Sequence, residues 1–265
     1  MRPLVMGVVN VTPDSFSDGG RYLDPAAAVA HGLALVRDGA DLVDVGGEAT
    51  SPRAGPTPAA EELRRVLPVV AGLAAAGVRV SIDTTKAEVA RAAVAAGARI
   101  VNDISGGLFD PAMAAAIGEL DVTYIAGHVR GHTIAEVFAR EAQPGIGWQE
   151  VARELGDRLA ALPAPARERT WVDPGLGFGK GADPDTNLGL LRHAGDLGRA
   201  LGRPVVVGPS RKRFLRRLLG GEPGEEAVDV ASVAACLGAA RAGAHVVRIH
   251  NVALLRTALT VYTKL

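Results

Sequence analysis

Apolar and polar positions along this chain follow two alternating patterns. Short, continuous apolar runs stop abruptly at a polar residue or glycine, and longer segments with helical spacing follow them. Residues 5–9 form the first such run and end at Asn10, which predicts a strand buried on both faces. Similar strands are predicted at 41–45, 78–82, 99–101, 122–126, 170–172, 204–207 and 245–247. A helix is predicted at 24–37, with Val29, Leu33 and Val36 on one face, and another at 61–76, with Leu63, Val66, Leu67 and Val70 aligned. Further helices are expected at 86–96, 111–120, 148–162, 187–201, 213–219, 228–242 and 252–262.

Eight strand–helix units predict an α/β fold with parallel strands closed into a TIM (β/α)8 barrel. An open doubly wound sheet is the alternative. It is disfavoured because polar residues follow almost every strand instead of gathering at one switch point. The length of 265 residues fits one such barrel or two small domains. No linker or composition shift divides the chain, so one domain spanning 1–265 is expected.

Composition removes several function classes. Lys+Arg and Asp+Glu balance at 29 each with no charged block, which argues against a nucleic-acid or anionic-membrane binder. No signal peptide or membrane-length apolar run is present, so a soluble, cytoplasmic protein is expected. Cys236 is the only cysteine and reads as a small core residue.

The candidate chemistry follows the strands: Asn10, Gly46 and Gly47, Asp83, Asn102, His128, Asp173, Ser210 to Lys212, and Arg248 to His250. In a (β/α)8 barrel these ends share the face that carries active sites. Any one of them alone reads as a turn residue or helix cap. Asp83, Asn102, Asp173 and Lys212 together suit a flat heterocycle whose amidine-like edge a carboxylate can grip. Arg248 and His250 alternate on one strand and can both meet an anion. Asn10 offers an uncharged oxygen for a Mg2+ ion that such an anion would bring.

Seven motifs carry a family resemblance. They are Met6-Gly-Val-Val-Asn-Val-Thr-Pro-Asp-Ser-Phe-Ser-Asp-Gly-Gly20, Gly46-Gly-Glu48, Ile82-Asp-Thr84, Asn102-Asp-Ile-Ser-Gly-Gly107, Asp173-Pro-Gly-Leu-Gly-Phe-Gly-Lys180, Ser210-Arg-Lys212 and Arg248-Ile-His250. In this order, and over the whole chain, they resemble the dihydropteroate synthases of bacterial folate biosynthesis. The resemblance implies a transferase that joins 6-hydroxymethyl-7,8-dihydropterin diphosphate to 4-aminobenzoate and releases diphosphate. It implies that Asp83, Asn102, Asp173 and Lys212 hold the pterin, that Thr50, Arg248 and His250 hold the diphosphate, and that Asn10 ligates Mg2+. Asp14 and Phe16 would close over the reacting carbon, with Asp14, Asp173 and Lys212 as the catalytic set. Phe178, Lys212 and the helix start at 210–213 would line the aminobenzoate site. It further implies a homodimer through C-terminal helices and a sulfonamide target.

Two places depart from the family pattern. Ser51 stands where the second lid usually carries arginine, with Arg53 two residues on. Gly127 stands where a methionine usually covers the pterin, which predicts a hole against the ring. His132 and Phe138 are unusual in the segment after this strand, and Asn251 replaces a customary aspartate. The competing readings are a relative using another amine or pterin, a methyltetrahydrofolate-binding barrel of the corrinoid methyltransferase kind, and a non-catalytic pterin binder.

Overall fold

The computed structural model describes residues 2–12, 24–49, 55–140, 145–180 and 183–264. Among these residues eight strands, all paired in parallel, make one sheet: β1 (Leu4–Asn10), β2 (Leu42–Gly46), β3 (Val80–Asp83), β4 (Ile100–Asp103), β5 (Thr123–Gly127), β6 (Thr170–Asp173), β7 (Val206–Val207) and β8 (Val246–Ile249). Their order, β6-β5-β4-β3-β2-β1-β8-β7, becomes a ring through a parallel bridge between Val172 and Val205. The expected barrel is therefore present.

The helices lie between and around the strands: α1 (Pro25–Arg37), α2 (Ala59–Ala75), α3 (Ala87–Ala95), α4 (Met113–Glu119), α5 (Ile134–Ala139), α6 (Trp148–Ala161), α7 (Ala164–Glu168), α8 (Pro184–Arg192), α9 (Ala194–Leu201), α10 (Arg213–Leu219), α11 (Glu225–Arg241) and α12 (Val252–Tyr262). Local chemistry explains several boundaries. Asp24 and Asp183 each cap a helix whose first residue is proline, which needs no N–H partner there. The helix expected over 187–201 is two helices that meet at His193, whose Nδ1 bonds Asp196 at 2.6 Å and whose ring stacks on Trp148. Two short helices, α5 and α7, were not expected from the spacing. A capping signal does mark α5: Thr133 caps the Glu136 N–H, and Glu136 reaches back to the His132 N–H at 2.9 Å.

Two apolar layers result. The larger packs the outward faces of the strands, such as Val5, Val9, Val43, Val45, Ile82 and Val101, against the helices. The smaller fills the lower barrel with Met6, Leu42, Ile100, Ile125, Val206 and Val246. Cys236 lies fully buried in the outer layer, where burial pushes its thiol pKa up and keeps it unreactive. Above the small inner layer, the strand ends are left to polar residues.

Candidate active site

Register decides which polar residues face the barrel interior. Asn10 pairs with Gly46, Gly46 with Asp83, Asp83 with Asn102, and Asn102 with Ile125 of the inner apolar cluster. Lateral partners in a sheet point to the same face, so this row rings the mouth from within. Gly46 keeps the row open: a β-carbon there would lie 3.7 Å from both Asn10 Oδ1 and Asp83 Oδ2. The rest of the Gly-Gly-Glu motif is structural. A β-carbon at Gly47 would press on Val66 of α2, and Glu48 holds Lys86, which also bonds buried Glu62 at 2.6 Å.

Arg248 reaches into this row from β8. Its Nη2 donates to Asp83 Oδ2 at 2.9 Å and its Nε to Asp44 Oδ2 at 2.6 Å. Asn102 Nδ2 donates to the same Asp44 oxygen at 3.0 Å, which leaves the Asn102 amide oxygen to accept. Burial, and next the charge of Asp44, raise the Asp83 carboxyl above its ordinary range, while Arg248 opposes the shift. Asp44 went unnoticed in the sequence because it sits inside an apolar strand run.

Asp173 ends β6 opposite Gly127. Its Oδ1 accepts the Gly175 N–H at 2.7 Å. Gly175 has φ of 71°, and a β-carbon there would meet the His128 carbonyl oxygen at 2.0 Å, so only glycine fits this turn. Burial raises the Asp173 pKa, an effect opposed by the Gly175 bond and by Lys212.

Lys212 arrives from the other side as the residue before α10. Its Nζ lies 3.8 Å from the centre of the Phe178 ring, a cation–π pair. Burial, and then Arg248, lower its pKa to about 8. Phe178 in turn packs on Phe138 of α5 with ring centres 6.2 Å apart, and Arg213 lies over Phe138 at 5.8 Å. Phe138, noted only as unusual, thus belongs to the wall behind Phe178.

The same Gly-rich loop is held from below by Lys180, which is almost fully buried. Its Nζ donates to His128 Nδ1 at 2.8 Å, to the His128 carbonyl at 2.9 Å and to the Phe178 carbonyl at 3.1 Å. His128 Nε2 bonds Glu154 at 2.9 Å. Burial, reinforced by Lys180, lowers the His128 pKa to about 3, so the ring is neutral with its proton on Nε2. His128, expected at the mouth, is instead a strut beneath it.

His250 accepts from Ser210 Oγ at 2.9 Å through Nδ1, while its backbone N–H donates to that same oxygen at 3.1 Å. Burial and Arg248 lower its pKa to about 3. It is therefore a neutral ring with an Nε2–H to donate, and not a second cation. Arg211 adopts φ of 57° and holds Asp229 through two bonds of 2.8 and 3.0 Å, fixing the turn that presents Lys212. Asn251 joins Asp229 at 3.0 Å and caps α12, so its replacement of aspartate is accommodated.

The hole expected at Gly127 is absent. A β-carbon there would lie 2.4 Å from the carbonyl oxygen of Ile104. Asp103 shapes the turn responsible, accepting from Ser105 N–H and Oγ, Gly107 N–H and Tyr124 Oη at 2.7–2.8 Å. Arg158 then ties this turn to β5 through the carbonyls of Ser105, Gly127 and Val129. The backbone of Ile104 fills the space beside Gly127. Asp14, Phe16, Thr50, Ser51 and Arg53 lie outside the described residues.

Asn10, Asp83 and Asn102 thus share the mouth row, Arg248 bonds Asp83, and the charges of Lys212 and Arg248 both act on Asp83 and Asp173. Among the described residues no group of three or more His, Cys, Asp and Glu side chains gathers that could hold a metal ion.

Similarity to known proteins extends over nearly the whole chain. The family model described as pterin binding enzyme matches residues 6–250. The dihydropteroate synthase of Mycobacterium leprae is 46% identical over 262 residues, covering 94% of this chain and 88% of that protein. The Xanthomonas albilineans dihydropteroate synthase in complex with 7,8-dihydropteroate superposes with a TM-score of 0.84 at 44% identity, covering 99% of this chain and 93% of that one. The Yersinia pestis dihydropteroate synthase with a sulfonamide drug complex gives 0.89 at 34% identity, covering 99% and 94%. With matches of this extent in sequence and in fold, the chain belongs to the pterin binding enzyme family, among the dihydropteroate synthases.

Proposed function

We propose that the protein joins 6-hydroxymethyl-7,8-dihydropterin diphosphate to 4-aminobenzoate, giving 7,8-dihydropteroate and diphosphate, as one domain over residues 1–265 working in the cytoplasm. The observation that carries this reading is a mouth in which two carboxylates, Asp83 and Asp173, share the fields of one lysine and one arginine. The carboxylates and the Asn102 oxygen suit the donor edge of a pterin. Lys212 suits its carbonyl, and Arg248 with the Nε2–H of His250 suits the diphosphate. Phe178 offers a ring face to the aminobenzoate, and the start of α10, which has no side-chain cap, suits its carboxylate.

In the reaction the methylene C–O bond of the pterin breaks, its electron pair leaves with diphosphate, and the arylamine nitrogen forms the new C–N bond. The amine proton then passes to the departing diphosphate or to water. Arg248 and His250 stabilise the developing anion, while Asp173 stabilises positive charge on the pterin. A site prearranged in this way needs no strong base. Asp14, Phe16 and Thr50 complete it in this reading as lid residues that keep water away.

Asn10 fits a Mg2+ that arrives with the diphosphate: its oxygen stands at the mouth beside Asp83, and Mg2+ commonly takes one or two protein oxygens with the rest from phosphate and water. When bound, the ion would neutralise charge on the leaving group. Leu218 and Leu219 of α10, Val230 of α11 and Val261 of α12 are exposed, which supports a homodimer through these helices. Expression in a bacterial folate auxotroph lacking its own synthase tests the reading in a cell. Growth without folate end products is expected, and no growth despite soluble expression contradicts it.

A further inference from the structure

Asp44 is a buried carboxylate for which the reading above has no role. It lies one row below the mouth, between Val8 and Ser81 in register, and is completely buried. Its Oδ2 carries two bonds, to Arg248 Nε at 2.6 Å and to Asn102 Nδ2 at 3.0 Å. Its Oδ1 has no partner among the described residues, nor does the neighbouring Ser81 Oγ. An ion taken out of water costs several kcal/mol even after relaxation, so a carboxylate in this layer of valines and isoleucines is not there for stability alone.

On the synthase reading, the two bonds of Arg248 would have different fates when substrate enters. Asp83 is in the mouth row, where a pterin edge would compete with Nη2 for the same oxygen. Asp44 is two residues deeper than Gly46 on the neighbouring strand and makes its bond to Nε. Losing Asp83 therefore does not release the guanidinium. It frees the Nη donors while the Nε bond still fixes where they point.

Resting on the proposed synthase reading, we propose that Asp44 is the positioning residue for Arg248, holding it by Nε so that the Nη donors displaced from Asp83 by the pterin are presented to the diphosphate. Asp44 touches neither substrate in this scheme. A second consequence is that Arg248 screens Asp83 in the empty site and is handed on as the site fills.

A double-mutant cycle tests this in the intact protein. Asp44→Asn keeps the volume and removes the charge. The KM for pterin diphosphate is expected to rise about tenfold or more, equivalent to about 1.4 kcal/mol, while the KM for 4-aminobenzoate changes by less than about threefold. In an Arg248→Gln background the same Asp44→Asn change is expected to cost less than about threefold, because residues acting through one interaction are not additive. Costs that multiply, or a wild-type KM for Asp44→Asn, overturn the proposal. If Asp44→Asn does not fold, Arg248→Lys breaks the contact from the other side, since an ammonium has no Nε to leave on Asp44. It should give the same rise, and an unchanged KM overturns the proposal. Inorganic diphosphate affinity by calorimetry, measured over the same cycle, keeps the two claims apart. A protein without synthase activity defeats the functional reading, whereas additive losses of diphosphate affinity defeat the role of Asp44.

Discussion

The Lys212 ammonium sits over the face of Phe178, 3.8 Å from the ring centre, so the residue assigned to the pterin and the residue assigned to the arylamine are in direct contact. In the proposed reading the two substrate sites meet at this pair.

Asp173→Asn removes the charge from the proposed pterin anchor but leaves an oxygen for the Gly175 N–H. Replacing a charge-assisted pair by a mismatched neutral one is expected to weaken pterin binding by roughly 2–3 kcal/mol. Calorimetry with a dihydropterin checks it. Unchanged affinity removes Asp173 from the site.

Lys212 gives a pH dependence with a defined sign. Its pKa is lowered to about 8 by burial and by Arg248, so the ammonium is present below that pH and is lost above it. The kcat/KM for pterin diphosphate is expected to fall about tenfold per pH unit on the alkaline side. Lys212→Arg keeps its charge throughout and should lose this limb, whatever its absolute rate. A limb at the same pH in the arginine variant assigns the titration to another group.

Phe138→Ala removes the ring packed behind Phe178. Aromatic pairs contribute about 0.5–1.5 kcal/mol beyond burial, so the KM for 4-aminobenzoate should rise roughly two- to tenfold with the pterin KM unchanged. Steady-state kinetics with each substrate varied in turn reads this split. An equal rise in both KM values means that Phe138 serves only the fold.

Gly127 leaves no room for the methionine that the family usually carries there. Because the Ile104 carbonyl occupies the β-carbon position, even Gly127→Ala is expected to destabilise by roughly 1–3 kcal/mol, lowering Tm by about 2–10 °C. Thermal unfolding checks it. An unchanged Tm shows that the turn at Asp103 yields easily.

These cases show what the sequence made legible. The ends of the strands could be read, because an apolar run that stops at Asn10, Asp83 or Asp173 announces both a buried strand and its polar rim. Asp44 could not, because one acid inside Leu-Val-Asp-Val-Gly reads as noise in a core run until register brings Arg248 and Asn102 to it. Gly127 misled for a related reason. A missing side chain shows as a blank in sequence, while the backbone of Ile104 that fills it comes from another strand's turn. His128 reads as candidate chemistry after its strand, and only its hydrogen bond to Lys180 shows it to be a support.

The most direct measurement is product formation by the purified protein supplied with 6-hydroxymethyl-7,8-dihydropterin diphosphate, 4-aminobenzoate and Mg2+. The account predicts 7,8-dihydropteroate by mass spectrometry, with one diphosphate released per product, and a marked drop in both signals at low pterin diphosphate in Asp173→Asn. Diphosphate release without dihydropteroate, or no turnover by a folded protein that binds both substrates, would contradict it.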